Sequence, residues 1–418
     1  MPPAPKIAIL GAGPAGLTLA TILHANNFPS DSITIFEASP TLRDQGGSLD
    51  LHPTDGQAAL RAAGLFDAFA ARARPESDVM KVVDLRSGAV LWDGNGPDRR
   101  PVAEGEELAH RPEIDRAALM EVLLSGVPAE RIRWGSKVVD VVPASSGDTF
   151  ALRLASGALT PAFDLVVGAD GAFSVARRLL APDAALPIYS GITAVELTTP
   201  PGDLAVTHPW LAAYVGAGSC AAFGADRAVQ AQRQGDGGAR VYGSMRVPAD
   251  WAATCGIDWE GAAPGVARKQ LVDGWFADVA SEPRRALLEC GGEEGAVVPR
   301  TLYMLPVGFR WDARPGITLV GDAAHLMTPF AGVGVNAAMA DALELARGIV
   351  TWMGGGDGGV AGEGKNLAGV LRVYEEGMFP RAERYARKTM SNMEEHFKEG
   401  GSESFANRLR AAYGKPRQ

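Results

Sequence analysis

The chain has 418 residues, 46% apolar and 21% charged, with a formal net charge of −9. This length predicts two domains, and the acidic balance disfavours nucleic acid as a partner. Because no run of about eighteen apolar residues occurs, no membrane span is predicted. The N-terminal residues lead straight into a strand, so we expect a cytoplasmic protein without a signal peptide. Three cysteines and six scattered histidines lack metal-type spacing, which predicts reduced thiols and no metal site.

The first predicted elements are a strand, a tight turn and a helix. The apolar run 7–10 precedes Gly11-Ala-Gly-Pro-Ala-Gly16, and helical spacing follows it. In such a turn the first glycine permits the bend, the second lets the backbone approach a pyrophosphate, and the third packs helix against strand. A lone glycine triad also occurs in ordinary turns, so the assignment of a dinucleotide-binding turn depends on the strand and helix that flank it. The predicted dinucleotide-binding residues here are Gly11, Gly13, Pro14, Ala15 and Gly16.

A second strand, 32–36, ends at Glu37 about twenty residues after the glycine turn. A carboxylate at this place accepts hydrogen bonds from the ribose hydroxyls of an adenosine. Its negative charge favours an unphosphorylated ribose, as in FAD or NAD, over NADP in this first site. The segment therefore predicts a complete βαβ unit.

The dinucleotide fold is predicted to resume further along the chain. Residues 113–124 have helical spacing, and the apolar run 164–168 predicts a buried strand that turns at Asp170-Gly171 before another helix. Taken alone, an Asp-Gly pair at a strand end is most often just a turn. Between 188 and 299 the pattern alternates, as at 193–197 and 239–246, which predicts antiparallel strands with a turn at 235–238. We interpret this region as a substrate domain.

Near the end of the chain, residues 316–322 predict another buried strand, ending at Gly321-Asp322. A carboxylate there can hold a ribityl or ribose hydroxyl. The run from Pro329 to Asn336 opens the predicted helix 337–346, whose free amides suit the negative N1/O2 edge of a reduced flavin. His325 is either a catalytic base or, as we favour, a packing or hydrogen-bonding residue.

A glycine-rich loop at 354–364 is expected to be mobile. The C-terminal segment that follows it, 365–418, has helical spacing, with a kink or break expected at Pro380. The predicted fold is α/β: a Rossmann-type FAD-binding domain, an inserted antiparallel-sheet substrate domain (α+β) and a C-terminal helix. We expect the first domain at 1–75, 108–187 and 300–353, and the second at 76–107 and 188–299.

These motifs together resemble the FAD-dependent monooxygenases of the aromatic-hydroxylase type, group A. Gly11–Gly16, Asp170-Gly171 and Gly321-Asp322 match that family's three fingerprints in order and spacing. Within the family the chain most resembles the tetracycline-inactivating monooxygenases, on Gly46-Gly-Ser-Leu-Asp-Leu-His52, Pro112–Arg116 and Gly321–Gly332. The resemblance covers essentially the whole chain.

The resemblance implies that Glu37 holds the adenosine ribose and that Arg116 lies near the phosphate and ribityl arm. Asp322 would contact the ribityl or pyrophosphate, while Asp50 would flank the isoalloxazine. In related enzymes the Asp-Gly fingerprint serves both FAD and the nicotinamide nucleotide, which places Asp170 and Arg177 near the reductant's path. The further expected FAD contacts are Ala38, Arg43, Gly46, Gly47, Gly321, Pro329, Gly332, Gly334, Val335 and Asn336.

This chain departs from the family pattern at three places. Ala38 stands where many relatives have arginine, so a role in adenine stacking falls to another residue such as Arg43. Val333 stands where the flavin loop often carries glutamine. The polar trio that grips tetracycline in those enzymes aligns near Ala194, Ser219 and Val241, so tetracycline-type antibiotics are only one option among polyketide-like substrates.

The implied function is hydroxylation of an aromatic or polyketide-like small molecule with NADPH or NADH, O₂ and FAD, through a flavin C4a-hydroperoxide. The flavin performs the chemistry, so no catalytic side chain is required. Phe223, Met245, Trp210 and Tyr214 are candidate walls of a substrate pocket, and a monomer is expected. The alternatives are a flavin reductase or oxidase, a halogenase whose Trp-x-Trp-x-Ile-Pro element is absent here, a plain NAD dehydrogenase, and a flavin-free binding protein.

Overall fold

The computed structural model describes residues 3–42, 46–96, 98, 102, 106, 108–144, 147–292, 295–354 and 366–413. The chain divides into two compact units, each assembled from three separate segments. Unit 1 comprises Met1–Ala73, Arg116–Ile188 and Tyr303–Thr389, and unit 2 comprises Arg74–Asp115, Tyr189–Leu302 and Met390–Gln418. The C-terminal segment is divided between the two units after Thr389.

The strands, in chain order, are β1 (Ile7–Leu10), β2 (Ile33–Phe36), β3 (Ser48–Asp50), β4 (Met80–Asp84), β5 (Val90–Asp93), β6 (Glu113–Asp115), β7 (Ile132–Arg133), β8 (Val138–Pro143), β9 (Phe150–Leu154), β10 (Leu165–Gly168), β11 (Ile188–Thr198), β12 (Ser219–Gly224), β13 (Arg227–Arg233), β14 (Ala239–Arg246), β15 (Val297–Met304) and β16 (Ile317–Leu319).

The α-helices are α1 (Pro14–Ala25), α2 (Gly56–Ala62), α3 (Phe66–Ala70), α4 (Arg116–Leu124), α5 (Val175–Leu180), α6 (Leu204–Thr207), α7 (Pro209–Val215), α8 (Trp251–Thr254), α9 (Pro264–Trp275), α10 (Ser281–Glu289), α11 (Asp322–His325), α12 (Gly334–Met353), α13 (Leu367–His396) and α14 (Gly401–Tyr413). Single-turn 3₁₀-helices cover Ser30–Ser32, Pro75–Ser77, Ala129–Arg131, Pro182–Ala184 and Pro329–Ala331.

Unit 1 is built on a parallel sheet with the strand order β16-β10-β1-β2-β7. Strands β1, β10 and β16 are buried at every residue and apolar apart from Thr318, as expected of parallel strands covered on both faces. Helix α12 packs against α1 and α2. The strand, turn and helix predicted at the start of the chain, and the buried strand before Gly321, are therefore confirmed.

One predicted helix boundary is wrong. The helical spacing of 113–124 begins in a strand, because Glu113–Asp115 form β6 and the helix starts only at Arg116. Short apolar runs satisfy both periodicities, so spacing alone could not separate the two states.

Unit 2 contains a larger sheet with the order β15-β11-β14-β13-β12-β4-β5. Strands β11, β14, β13 and β12 pair antiparallel in turn, which confirms the predicted antiparallel character of this region. The segment 234–238 joins β13 to β14, as the glycine-rich tract predicted. A core of buried apolar residues covers one face of this sheet.

The C-terminal segment forms α13 and α14. Helix α13 is continuous through Pro380, so the expected break does not occur. The glycine-rich loop, apart from Gly354, lies outside the described residues. Within those residues, no helix is both long enough and apolar enough to span a bilayer.

Candidate functional site

The three glycines of the first loop occupy three different environments. Gly11 has a φ of +103°, and a β-carbon there would lie 2.4 Å from the carbonyl oxygen of Ala169. A β-carbon on Gly16 would lie 2.2 Å from the carbonyl oxygen of Gly11. At Gly13, by contrast, no protein atom lies within 4 Å of that position. Gly11 and Gly16 are thus required by the protein's own packing, whereas Gly13 borders open space.

That open space lies at the N-terminus of α1. Gly13 is the N-cap residue and offers no side-chain hydrogen bond, and Pro14 follows at the first helical position. The first turn contains no acidic residue, so its backbone amides and the positive end of the helix dipole are not neutralised by the helix itself. This arrangement suits a phosphate. Ala15 is buried beneath the turn.

Glu37 lies beside the same loop at the end of β2. It is only 8% exposed, and its two carboxylate oxygens accept hydrogen bonds from the amides of Ala12 (2.9 Å) and Ser39 (2.8 Å). A carboxylate oxygen can accept more than one hydrogen bond. Ala38 is exposed next to it, and Arg43 lies outside the described residues.

Asp170 stabilises the turn that follows β10. Its Oδ2 accepts hydrogen bonds from the amides of Val175 (2.6 Å) and Ala176 (3.4 Å), at the start of α5. Burial raises the pKa of this carboxyl despite those bonds. The geometry therefore displays the turn-forming role of Asp170, and direct contact with a cofactor stays a prediction.

Arg177 is completely buried and joins two of the motifs. Its guanidinium donates to the carbonyl oxygens of Ala185 and Ala323, both at 2.8 Å, and of Ala172. These bonds connect the Asp170-Gly171 loop to the residues after Gly321. The guanidinium faces backbone carbonyls, and the expectation that Arg177 lies near the path of the reductant stays a prediction. Arg177 is a positioning residue.

Replacing Arg177 with lysine is expected to destabilise the protein by about 2–4 kcal/mol, since an ammonium cannot reach all of these carbonyls and leaves buried acceptors unpaired. Urea denaturation of the apo-protein measures the change. Arg178→Lys is the matched control, because Arg178 is exposed and should change stability by less than about 0.5 kcal/mol. Equal effects of the two substitutions would contradict the role of Arg177.

The second motif turns sharply at Gly321, which has a φ of +61°, and Asp322 is exposed immediately after it. The amide of Gly321 donates to Oδ2 of Asp341 (2.9 Å). The same carboxylate lies 2.6 Å from Nε2 of His325 and 2.9 Å from Arg381. His325 is therefore a buried, hydrogen-bonded residue and not an exposed base, in agreement with the interpretation we favoured.

Asp341 and His325 form a coupled buried pair. Burial by itself would lower the pKa of His325, but the Asp341 carboxylate outweighs it and the pKa is raised. Burial would raise the pKa of Asp341, but His325 and then Arg381 reverse this and the pKa is lowered. Both shifts favour the charged pair, which fixes the backbone of the Gly321-Asp322 turn.

The N-terminus of α12 is a second place with open backbone. Gly332 adopts a left-handed conformation with a φ of +63°, and no protein atom lies within 4 Å of a β-carbon built on Gly334. The first turn of α12 contains no acidic residue. The amides near Gly334 and Val335 can therefore face an anion, and Pro329 is exposed at the start of the same loop.

Asn336 connects this helix to the segment 50–56. Its Oδ1 accepts from the amides of His52 (2.8 Å) and Gly56 (3.3 Å), and its Nδ2 donates to the carbonyl oxygen of Asp50 (2.8 Å). A β-carbon on Gly332 would lie 3.5 Å from Oδ1 of Asp50. The side chain of Asn336, and not only its amide, thus organises the loop that the resemblance placed beside the isoalloxazine.

Gly46, Gly47 and Arg116 also lie close together. The amide of Arg116 donates to the carbonyl oxygen of Gly47 (3.2 Å), and a β-carbon on Gly46, where φ is +94°, would lie 2.7 Å from Cδ of Arg116. Arg116 is exposed, so its guanidinium is accessible to an anionic ligand.

Phe223, one of the four predicted pocket walls, packs under the C-terminal helices of unit 2. Its ring stacks on His396 with centroids 3.9 Å apart, and its amide donates to Oγ of Ser402 (2.7 Å). Burial, followed by Arg408, lowers the pKa of His396 to about 4. A neutral imidazole therefore covers Phe223.

The other three lie on the opposite face of the same sheet. Phe223 pairs with Ala228 and Ala228 with Ser244, so Met245, the next residue, points the other way. Met245 belongs to the buried apolar core there, where the rings of Trp210 and Tyr214 stack at 5.1 Å. The structure does not bring the four together, and their contact with a substrate stays a prediction.

Sequence reasoning missed Asp341 and Arg381, because no motif contains them. The available signal was an aspartate on the apolar face of a long helix, where an acid needs a partner. It also quoted His52 as part of a motif without assigning it a role.

Unit 1 thus combines two helix N-termini bordered by open glycines with an accessible aspartate at a third turn. An extended dinucleotide with a pyrophosphate, hydroxylated linkers and an anionic ring edge matches this set of donors and acceptors. FAD has all of these groups.

Comparison with known proteins supports the same cofactor. The family model described as "FAD binding domain" matches residues 311–360. Monooxygenase penA of Penicillium thymicola is 34% identical, over 97% of this chain and 98% of its own. The 3-amino-4-hydroxybenzoate 2-monooxygenase of Streptomyces cremeus is 30% identical, over 81% of this chain and 77% of its own.

Among solved structures, tetracycline destructase Tet(51) aligns with a TM-score of 0.66 at 17% identity, covering 99% of this chain and 97% of its own. It shows a shared fold. The predicted α/β fold class and FAD cofactor are confirmed, and the chain belongs to the FAD-dependent monooxygenases of the aromatic-hydroxylase family.

Proposed function

We propose that this enzyme inserts one oxygen atom from O₂ into an aromatic or polyketide-like small molecule, with unit 1 as its FAD-binding domain and unit 2 as its substrate-binding domain. The observation that carries the proposal is the open space at Gly13 and Gly334, at the N-termini of two helices of one unit. When bound and reduced by a nicotinamide nucleotide, FAD supplies the electrons that activate O₂.

The residues of unit 1 bind and orient this cofactor in our proposal. The α1 amides at Gly13 hold the pyrophosphate, and Glu37 accepts from the adenosine ribose. Asp322 accepts from a ribityl hydroxyl, and Arg116 contributes positive charge near the phosphate. The amides at the start of α12 stabilise the N1/O2 edge of the reduced ring without a titratable side chain.

The substrate class that we propose is based on the substrates for which relatives are named. The 3-amino-4-hydroxybenzoate 2-monooxygenase is named for an aromatic substrate, and a hydroxylated or amino-substituted ring is the class we assign to this chain. The protein acts as a monomer in cytoplasm in this proposal.

Oxygen incorporation tests the function. The purified holo-protein is supplied with NADH or NADPH and isotopically labelled O₂, with a panel of aromatic and polyketide-like compounds. At least one compound is expected to stimulate oxygen uptake and to gain one labelled atom by mass spectrometry. FAD binding without uptake or incorporation across the panel would refute the proposal.

Asp322→Ala is expected to weaken FAD binding about 10- to 100-fold, through loss of one charge-assisted hydrogen bond. Fluorescence titration of the apo-protein with FAD measures this. Asp312→Ala is the matched control, since Asp312 is also exposed in unit 1 but lies outside the motif. Unchanged FAD affinity in the Asp322→Ala variant would contradict the proposed contact between Asp322 and FAD.

A further inference from the structure

The chain that follows β7 lies directly beside the end of β2. The amide of Glu37 donates to the carbonyl oxygen of Arg133 (3.1 Å), and the amide of Ser136 donates to the carbonyl oxygen of Glu37 (2.7 Å). The amide of Gly135 donates to the carbonyl oxygen of Ser39 (2.8 Å). These bonds fix the backbone after β7 against the loop that begins at the ribose-binding carboxylate proposed above.

Trp134 lies opposite Glu37 in this pairing. Phe36 and Arg133 are register partners, and the Arg133 guanidinium lies 5.6 Å from the centroid of the Phe36 ring, so these two side chains share one face. Because successive residues of a strand point to opposite faces, Glu37 and Trp134 share the other. That face carries the glycine turn, since Glu37 accepts from the amide of Ala12.

The surroundings of Trp134 leave part of its ring accessible. The residue is half-buried, and within the part of the chain that the structure describes its indole makes no hydrogen bond and no stacking contact. Gly135, which has a φ of +66°, has no atom within 4 Å of its β-carbon position beyond its chain neighbours. Ala38 is exposed and carries only a methyl group. An accessible aromatic surface therefore lies beside Glu37.

We propose that Trp134 is a binding residue for FAD, whose adenine stacks on the indole while Glu37 accepts from the attached ribose. A purine is a flat ring that stacks on aromatic side chains, and it is joined directly to the ribose. The inference rests on the proposed placement of the adenosine at Glu37. It adds an aromatic contact at the end of FAD that takes no part in the oxidation.

Trp134→Ala is expected to weaken FAD binding about 5- to 150-fold, the usual effect of removing an aromatic ring from a stacked base. Trp134→Phe should stay within about threefold of the wild type, because a smaller ring still stacks on a purine. Fluorescence titration of the apo-protein with FAD measures both. Trp352→Ala is the matched control, since Trp352 is also half-buried in unit 1 but lies in the last turn of α12. It should leave the affinity unchanged.

ADP gives a second readout that does not need the flavin. It carries the adenine, ribose and pyrophosphate, and an adenine stacked on Trp134 should quench the indole fluorescence. The quenching should disappear in Trp134→Phe and persist in Trp352→Phe.

Three results would overturn the proposal. They are displacement of FAD by ADP without this quenching, wild-type FAD affinity in a folded Trp134→Ala variant, and equal losses of affinity in Trp134→Ala and Trp134→Phe. A wild-type protein that binds FAD but oxygenates nothing would refute the proposed function and leave this test intact.

Discussion

Replacing Gly13 with valine is expected to weaken FAD binding about 5- to 150-fold while the apo-protein keeps its fold. A β-carbon at this position meets no atom within 4 Å beyond its chain neighbours, and the residue has an ordinary φ of −81°, so we expect the polypeptide to accept the side chain. The isopropyl group then fills the space at the N-terminus of α1 that the pyrophosphate needs. Overpacking a single contact costs about 1–3 kcal/mol, which corresponds to a loss of affinity of about 5- to 150-fold.

Fluorescence titration with FAD and thermal unfolding of the apo-protein separate the two effects. Gly11→Ala is the matched control, because its β-carbon would meet a backbone carbonyl at 2.4 Å in a conformation with positive φ. That variant should lose about 2–4 kcal/mol of apo-protein stability, whereas Gly13→Val should lose almost none. Normal FAD affinity in the Gly13→Val variant would show that the pyrophosphate binds elsewhere.

Replacing Asp341 with asparagine is expected to lower the free energy of unfolding by about 3–5 kcal/mol, the usual effect of removing one partner from a buried ion pair. The carboxylate accepts from Gly321, His325 and Arg381 at once. A neutral amide carries one acceptor oxygen and cannot serve all three. FAD binding should weaken as well, because the turn before Asp322 loses its support.

Urea unfolding at a series of pH values checks both the size and the origin of this effect. The pKa of His325 is raised in the folded protein, so its contribution is present below the unfolded pKa and lost as pH rises through the folded one. The pKa of Asp341 is lowered, so its contribution is present above the unfolded pKa and lost as pH falls through the folded one. The stability of the wild-type protein should therefore be greatest at pH values between the folded-state pKa of Asp341 and that of His325.

Asp341→Asn should abolish the alkaline decline assigned to His325. Glu344→Gln is the matched control, because Glu344 also pairs with Arg381 but its side chain is 42% exposed, and such pairs contribute less than about 1 kcal/mol. A decline that persists in Asp341→Asn would have to come from another group.

Strands β1, β10 and β16 of unit 1 were predictable because each is a largely apolar run followed closely by a glycine turn. Gly11 and Gly16 were predictable for the same reason, since close backbone approaches restrict the residue type. The role of Asp341 was not predictable, because its partners His325 and Arg381 come from other elements and no local sequence pattern joins them. The bonds from Arg177 to the backbone were not predictable either, because charge in a motif does not reveal burial.

The pocket residues show a different limit. Alternation at 193–197 and 239–246 predicted strands, but it did not say that Phe223 and Met245 point to opposite faces, because that depends on how β12 and β14 each pair with β13. Register is set by the turn and by long-range packing. A list of aromatic residues in a strand region therefore does not define one cavity.

The packing of α1 against α12 has a consequence for synthesis. Helix α1 ends at Ala25, and its partner begins only at Gly334. Ribosomes add roughly 5–20 residues per second. The apolar side of α1 is therefore synthesised on the order of tens of seconds before α12, the helix that packs against it. During translation that surface must be shielded by other nascent segments or by chaperones.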